Sequence, residues 1–341
     1  MKNIYDQFLH KDIKASITNE DFETSDVLRV SFQLGNVCTY DCSYCHPDDK
    51  DGSVKWPEFS IVENIIREID RIYKLPPYNK TKIVFEYLGG EVTLWKDIER
   101  TITLVNELGN ESWLITNGVR SLRWWEEYGK YFKLVTISAH LEFCDIEHLC
   151  KVSNILADNN IIASISILMY PPKWNECLAA IQYLKEHSKG MNISAETLHD
   201  PYGENLIWNY TDEENDFIKN NTNITTVNRK KELEWLNETS FWRNSKTGEI
   251  LRRPGSSIKS FRENNFYNWK CYVGIDTLYL AGDGDIRVGA WCRPAPSLGN
   301  WKRDDLSTIQ WPTAPVICKY LQCNCGHDFR ARKFKNNDNT I

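Results

Sequence analysis

Apolar residues along the first two thirds of the chain follow two alternating patterns. Short, nearly continuous runs at Leu28–Leu34, Ile83–Leu88, Trp113–Thr116, Leu134–Ser138, Ile161–Leu168 and Met191–Glu196 predict six strands. Between them, apolar residues recur every three or four positions. Ile61, Ile65, Ile69 and Ile72 mark a first helix, with Ser60 and Glu63 spaced as a capping box at its start. Ile98, Ile102 and Val105 mark a second helix, and further helices are expected over about 121–129, 145–158 and 174–187. Strands alternating with helices predict a parallel βα array with right-handed crossovers. The pattern alone fits a partial barrel or a doubly wound sheet. In a parallel barrel the active site gathers at the C-terminal ends of the strands, where the polar candidates of this sequence lie.

Outside residues 28–198 the rhythm breaks. Residues 1–27 read as a polar N-terminal extension. Residues 199–264 read as a bridging and cover segment, with Thr211 and Glu214 placed to cap a helix. Residues 265–327 form a small cysteine-bearing unit, in which Leu278-Tyr279-Leu280 and Ile286-Arg287-Val288 predict a β-hairpin around Gly282 and Gly284. Residues 328–341, with Arg330, Arg332, Lys333 and Lys335, read as a basic, partly disordered tail.

Charge and cysteine usage narrow the picture. The 341 residues carry a net charge of −6, which does not point to duplex nucleic acid as a partner. The start of the chain lacks the apolar run of a signal peptide, and no stretch of about 18 apolar residues predicts a membrane span. A cytoplasmic protein is therefore expected, and its eleven cysteines read as metal ligands or core thiols more readily than as disulfides. Cys144, Cys150 and Cys177 read as core thiols. The tryptophans between Trp208 and Trp311 fit either a stacking surface or a packed core.

The densest chemistry is Cys38-Thr39-Tyr40-Asp41-Cys42-Ser43-Tyr44-Cys45, directly after the first strand. Three thiolates in so short a loop can each hold one iron of a [4Fe–4S] cube, which leaves the fourth iron open. Zinc, with His46 as a fourth ligand, is the competing reading. Gly89-Gly90-Glu91 ends the second strand, Thr116-Asn117-Gly118 the third and Ser138 the fourth.

With Gly89-Gly90-Glu91 in that place, the cysteine loop resembles the radical SAM superfamily. The resemblance favours a partial (β/α)6 TIM-like barrel. It implies Cys38, Cys42 and Cys45 as ligands of a SAM-binding [4Fe–4S] cluster, with Tyr44 near the adenine. Gly89, Gly90 and Glu91 would receive the methionine ammonium, although Val92 stands where the family motif has proline. Asn117 and Ser138 would complete the SAM site, while His140, Glu142 and Glu196 lie near the same rim without an assigned role. The implied chemistry is reductive cleavage of S-adenosylmethionine to a 5′-deoxyadenosyl radical, followed by hydrogen abstraction, with an electron donor such as flavodoxin or ferredoxin. Residues 265–327 resemble a twitch or SPASM domain. That implies one auxiliary iron–sulfur cluster on Cys271, Cys292 and members of the set Cys318, Cys323 and Cys325, one of which is spare; a structural zinc is the alternative. Many such enzymes modify ribosomally made peptides, the expected substrate here. A small molecule such as an amino sugar, nucleoside or nucleobase is the second reading, and an iron–sulfur electron-transfer module without SAM cleavage is the third.

Overall fold

The computed structural model describes residues 13–17, 26–199, 206–221, 224–225, 239–244, 247–254, 264–290, 292, 296–321, 323 and 326–335. A short strand β1 (Ile13–Ile17) precedes the parallel array, which comprises β2 (Val27–Gln33), β3 (Lys82–Leu88), β4 (Glu111–Thr116), β5 (Phe132–Ala139), β6 (Ile162–Leu168) and β7 (Asn192–Glu196). The connecting helices are α1 (Phe59–Tyr73), α2 (Ile98–Glu107), α3 (Leu122–Tyr128), α4 (Ile146–Asp158) and α5 (Trp174–His187). Beyond β7 come α6 (Asp212–Asn220), β8 (Ile224–Thr225), β9 (Thr239–Asn244), β10 (Ile250–Pro254), β11 (Trp269–Cys271), β12 (Thr277–Leu280), β13 (Asp285–Arg287), β14 (Gly299–Asn300), β15 (Val316–Ile317), a short helix α7 (Gly326–Phe329) and β16 (Lys333–Lys335).

Strands β2 to β7 pair in sequence order, all parallel. Sequential order sends every right-handed crossover to the same face, which gives the one-sided curl of a partial barrel and excludes the doubly wound alternative. Alternation within the strands does the rest. Leu28, Val30 and Phe32 of β2 and Ile83, Phe85 and Tyr87 of β3 are buried in one cluster with Val62, Ile65, Ile66 and Ile69 of α1. The intervening residues face the other way: Val84, Trp113, Leu134 and Ile162 close the lower part of the barrel, with Ser31 and Glu86 buried nearby.

The structure corrects the sequence reading at several points. The hairpin of β12 and β13 forms as expected, but not within a small separate unit. β12 pairs parallel with β2, so β12, β13 and β14 extend the barrel sheet to ten strands with β8 at its other edge. Without β12, β2 would present a bare edge. The N-terminal extension contains β1, which sits in a second, antiparallel sheet of order β10-β9-β1-β16-β11-β15. Residues 328–335 of the expected disordered tail are folded, and Ala331, Arg330, Arg332 and Lys333 are buried; the tail beyond 335 lies outside the described residues. Thr211 and Glu214 form the expected capping box on α6, whereas α1 begins after Glu58 and makes no box with Ser60 and Glu63.

Ion pairs explain why basic residues near the C-terminus are buried. The Arg332 guanidinium makes two hydrogen bonds to Asp276, at 2.8 and 3.0 Å, its backbone N–H adds a third at 3.1 Å, and Lys80 reaches the same carboxylate at 2.9 Å. Arg330 lies 3.4 Å from Glu86 on β3 and stacks over Trp113. His327 lies 2.8 Å from the Ser31 hydroxyl and 3.6 Å from Glu86. The C-terminal segment is thus fastened to the barrel strands by paired, desolvated charges. Burial works to raise the Glu86 carboxyl, but Arg330 and His327 hold it down at about 2. A carboxyl depressed on folding contributes stability above its unfolded value, and that stability is lost as pH falls toward the folded one. Glu86→Gln should therefore destabilise the protein by about 3 kcal/mol at pH 6. In chemical denaturation the gap from wild type should close as pH drops from about 4.5 to 2; a gap that stays constant over that range contradicts this account.

Candidate active site

Four successive strand ends meet at one cavity, with about 490 Å³ of empty space including its open mouth. Cys38, Cys42 and Cys45 line it from the loop after β2, Gly89 and Gly90 from the end of β3, Thr116 and Asn117 from β4, and Ser138 and His140 from β5. The register that pairs Gln33 with Leu88 and Thr116 with Ile137 brings these ends level.

The two glycines owe their place to backbone packing. Gly89 and Gly90 have φ of +98° and +53°, and an added Cβ would lie 2.4 Å from the Gly35 carbonyl oxygen or 2.3 Å from that of Val37. The chain entering the cysteine loop therefore lies directly against the Gly-Gly turn, and the Glu91 N–H donates to the Val37 carbonyl at 2.7 Å. Asn36, fully buried, ties the far side of the same loop. Its amide N–H groups reach the Asp48 carbonyl and Asp51 carboxylate, both at 2.7 Å, and its oxygen accepts from the Val54 N–H.

Glu91 is 0% exposed and does not line the cavity. Its carboxylate accepts from the Thr93 hydroxyl and N–H, from the Thr116 hydroxyl at 2.8 Å and from the Asn117 N–H at 2.6 Å. Burial raises this carboxyl above the ordinary carboxylate range while those donors oppose the rise. Glu91 thus joins the end of β3 to that of β4 beneath the cavity floor. Its polar neighbours, rather than the Glu91 oxygens, face the cavity.

The three thiols share a desolvated wall. Burial, reinforced by their own mutual charge, pushes Cys42 up to about 12 and Cys45 to about 11, and burial raises Cys38 as well. Such a donor set becomes thiolate only with a cation among it, and coordinated metal supplies that charge. Nearby donors are already aimed at the group. The Tyr40 N–H lies 3.4 Å and the Asn117 amide 3.8 Å from the Cys38 sulfur. Lys50 donates to the Cys42 carbonyl at 2.7 Å and pairs with Asp41 at 2.5 Å. Tyr40, Asn36 and Lys50 escaped the sequence reading because nothing in their spacing marks them; only the folded loop brings them to the cysteines.

An aromatic layer backs the loop. Tyr44 stacks on His140 with centroids 5.8 Å apart, touches Tyr170 and hydrogen-bonds His140 Nδ1 at 3.2 Å, but does not line the cavity. Burial pushes His140 down to about 4, so its imidazole is neutral at pH 7. Glu142 accepts from the Ser43 N–H at 2.7 Å, and Tyr40 stacks on Phe143. Glu196 accepts from the Ser194 hydroxyl and stands apart from the cavity wall. Cys150 and Cys177 are buried in the main core, with Cys144 packed against it.

A second cysteine group lies where β11, β15 and β16 meet. Cys271 ends β11 and Cys318 follows β15, hydrogen-bonded to β11 through the Trp269 carbonyl. Cys323 is tied to Asn264, and Cys292 packs in the same cluster as Cys271. Burial, with the neighbouring charges of Cys271 and Asp328 adding to it, pushes Cys292 up to about 12, and burial raises Cys271 as well. Cys325 lies outside the described residues.

A one-sided parallel barrel with three thiols at its C-terminal rim defines the class of domain. Residues 32–195 match the family model of the Radical SAM superfamily, and the chain carries a radical SAM domain there. That family implies a [4Fe–4S] cluster and S-adenosylmethionine. No curated protein matches the chain. Among solved structures, Streptococcus suis SuiB bound to its precursor peptide SuiA aligns at 13% identity and a TM-score of 0.49, over 82% of this chain and 64% of that one. SuiB bound to S-adenosylmethionine aligns at 11% identity and 0.47 over the same shares. An α-N-acetylgalactosaminidase from Bifidobacterium bifidum aligns at 10% and 0.28, over 41% of this chain and 35% of that one. The chain thus spans 64% of the length of the SuiB structures.

Replacing Glu91 tests its buttressing role. Glu91→Ala strands buried N–H and hydroxyl donors and should lower the unfolding free energy by about 3 kcal/mol. A urea titration showing a loss under about 0.5 kcal/mol, the range of a surface change, contradicts that placement.

Proposed function

We propose that this protein reductively cleaves S-adenosylmethionine and uses the resulting radical to abstract a hydrogen atom from a ribosomally made peptide. The observation that carries the reading is the convergence of Cys38, Cys42 and Cys45 with Gly89, Gly90, Asn117 and Ser138 on one cavity at the strand ends. When bound, the cluster and its SAM supply the one-electron cleavage and the hydrogen-abstracting species.

The chain's own residues bind, orient and shield. Cys38, Cys42 and Cys45 would hold the cluster. The Asn117 amide and the Tyr40 N–H lie in position to donate to the Cys38 sulfur and would thereby favour the reduced state of a cluster held there. The peptide groups of Gly89 and Gly90 take the methionine ammonium, Ser138 takes a polar group of SAM, and Glu91 sets the turn from beneath. Tyr44 and His140 hold the outer half of the cysteine loop. Cys271, Cys292 and two of Cys318, Cys323 and Cys325 would hold one auxiliary iron–sulfur cluster in a twitch- or SPASM-like unit, and a flavodoxin- or ferredoxin-type donor supplies the electron. Support for a peptide substrate comes from the resemblance of the C-terminal cysteines to peptide-modifying enzymes. It comes also from exposed apolar side chains, Phe143 at 48%, Leu206 at 45% and Ile207 at 39%, on segments following β5 and β7. No described helix is long and apolar enough to cross a membrane, and a cytoplasmic location is part of the proposal.

The test is an anaerobic assay of reconstituted, dithionite-reduced protein. Wild type should form 5′-deoxyadenosine; a Cys38/Cys42/Cys45→Ala variant should form none while keeping about half of its iron, the share of one of two equal clusters. Wild type that binds iron yet never cleaves SAM overturns the enzymatic reading. A mass change in a short peptide encoded beside the gene is expected; turnover only with an amino sugar or nucleoside overturns the choice of substrate.

A further inference from the structure

We propose that His140 binds S-adenosylmethionine, its Nε2 sharing a hydrogen bond with a hydroxyl of the ribose. The inference deepens the reading of the cavity given above and rests on it. It begins from an imidazole that is held on one side and open on the other. His140 directly follows β5, two residues beyond Ser138, and both residues line the cavity. The His140 carbonyl accepts from the Phe143 and Cys144 N–H groups, each at 2.9 Å, which fixes the backbone at that point. The ring stacks on Tyr44 at an interplanar angle of 15° and meets Tyr40 edge-on, with centroids 6.2 Å apart. Nδ1 shares a hydrogen bond with the Tyr44 hydroxyl at 3.2 Å. Nε2 has no hydrogen-bond partner among the described residues, and it is not enclosed by them. A polar atom held in place at a cavity wall and left unpaired favours a ligand that pairs with it, because little side-chain freedom remains to be lost.

The chemistry of the ring selects the part of the ligand. An uncharged imidazole offers a donor or an acceptor at Nε2, according to which nitrogen carries the proton. A hydroxyl gives and accepts a hydrogen bond, so it satisfies either form. The adenine ring nitrogens only accept and its amino group only donates. The carboxylate calls for a charged donor, and the methionine ammonium is already assigned to the Gly89–Gly90 turn on another wall. The ribose diol remains. Its two hydroxyls stand side by side, as Ser138 and His140 do at the end of β5. Burial keeps the ring uncharged against the opposing pull of Glu142, so it adds no repulsion toward the sulfonium.

The experiment measures binding in the full-length, iron-reconstituted protein, left unreduced so that no turnover occurs. Labelled S-adenosylmethionine and its 2′,3′-dideoxyribose analogue are the two probes. His140→Phe keeps a ring to stack on Tyr44 but has no nitrogen. It should bind S-adenosylmethionine about tenfold more weakly, the scale of one lost hydrogen bond. Wild type should bind the dideoxy analogue more weakly than S-adenosylmethionine, and His140→Phe should weaken the analogue no further. Tyr44→Phe deletes the same Tyr44–His140 hydrogen bond from its other end and keeps Nε2, so it should retain most of the affinity. His140→Phe that binds S-adenosylmethionine as wild type does overturns the proposal. So does an equal loss for both probes, an equal loss in Tyr44→Phe, or a loss of iron from His140→Phe, each of which traces the effect to the cysteine loop. Wild type that holds iron and binds no S-adenosylmethionine overturns the underlying reading of the cavity, and this proposal with it.

Discussion

The close approach of the Gly89–Gly90 turn to the backbone of residues 35–37 is the contact on which the rest of the site depends. There is no room for a Cβ on either glycine, and the Glu91 N–H fastens the turn to the Val37 carbonyl just ahead of Cys38. The carboxylate of the same residue then reaches to Thr116 and Asn117 at the end of the next strand. One residue thereby sets the relative height of three strand ends. The cysteines need that precision, because a loop of eight residues bearing three cysteines has little stiffness of its own.

The C-terminal segment plays the matching part for the other half of the molecule. It leaves the second cysteine group through α7, places His327 and Arg330 against Ser31 and Glu86 of the barrel, and returns to the antiparallel sheet as β16. Buried ion pairs of this kind add little net stability over an apolar core, but breaking one partner is costly, so they fix a single arrangement. The same short run therefore connects the barrel interior to the neighbourhood of Cys271.

The barrel was legible in the sequence because its two periodicities are strong and its helices amphipathic. The cysteine loop was legible because its three cysteines are neighbours in the chain. Placement of Glu91 was not, since a carboxylate beside two glycines reads as a ligand contact until the donors of Thr93, Thr116 and Asn117 are seen around it. Tyr44 likewise turns out to back the loop through His140 and Tyr170, while Tyr40 reaches the cavity wall. β1 and β16 escaped notice because strands of five and three residues carry too few positions to show alternation. Arg330 and Arg332 misled because charge ordinarily means solvent; their partners Glu86 and Asp276 lie more than fifty residues away in the chain.

The central claim is that the three-thiol loop holds a cluster with one iron left open to S-adenosylmethionine. EPR of the reduced full-length protein, with Cys271 and Cys292 replaced by alanine so that only this cluster contributes, tests it most directly. Adding S-adenosylmethionine should shift and reshape the cluster signal, as direct coordination to one iron requires. A cluster signal unchanged by saturating S-adenosylmethionine, or a protein that carries zinc in place of iron at this loop, would contradict the account.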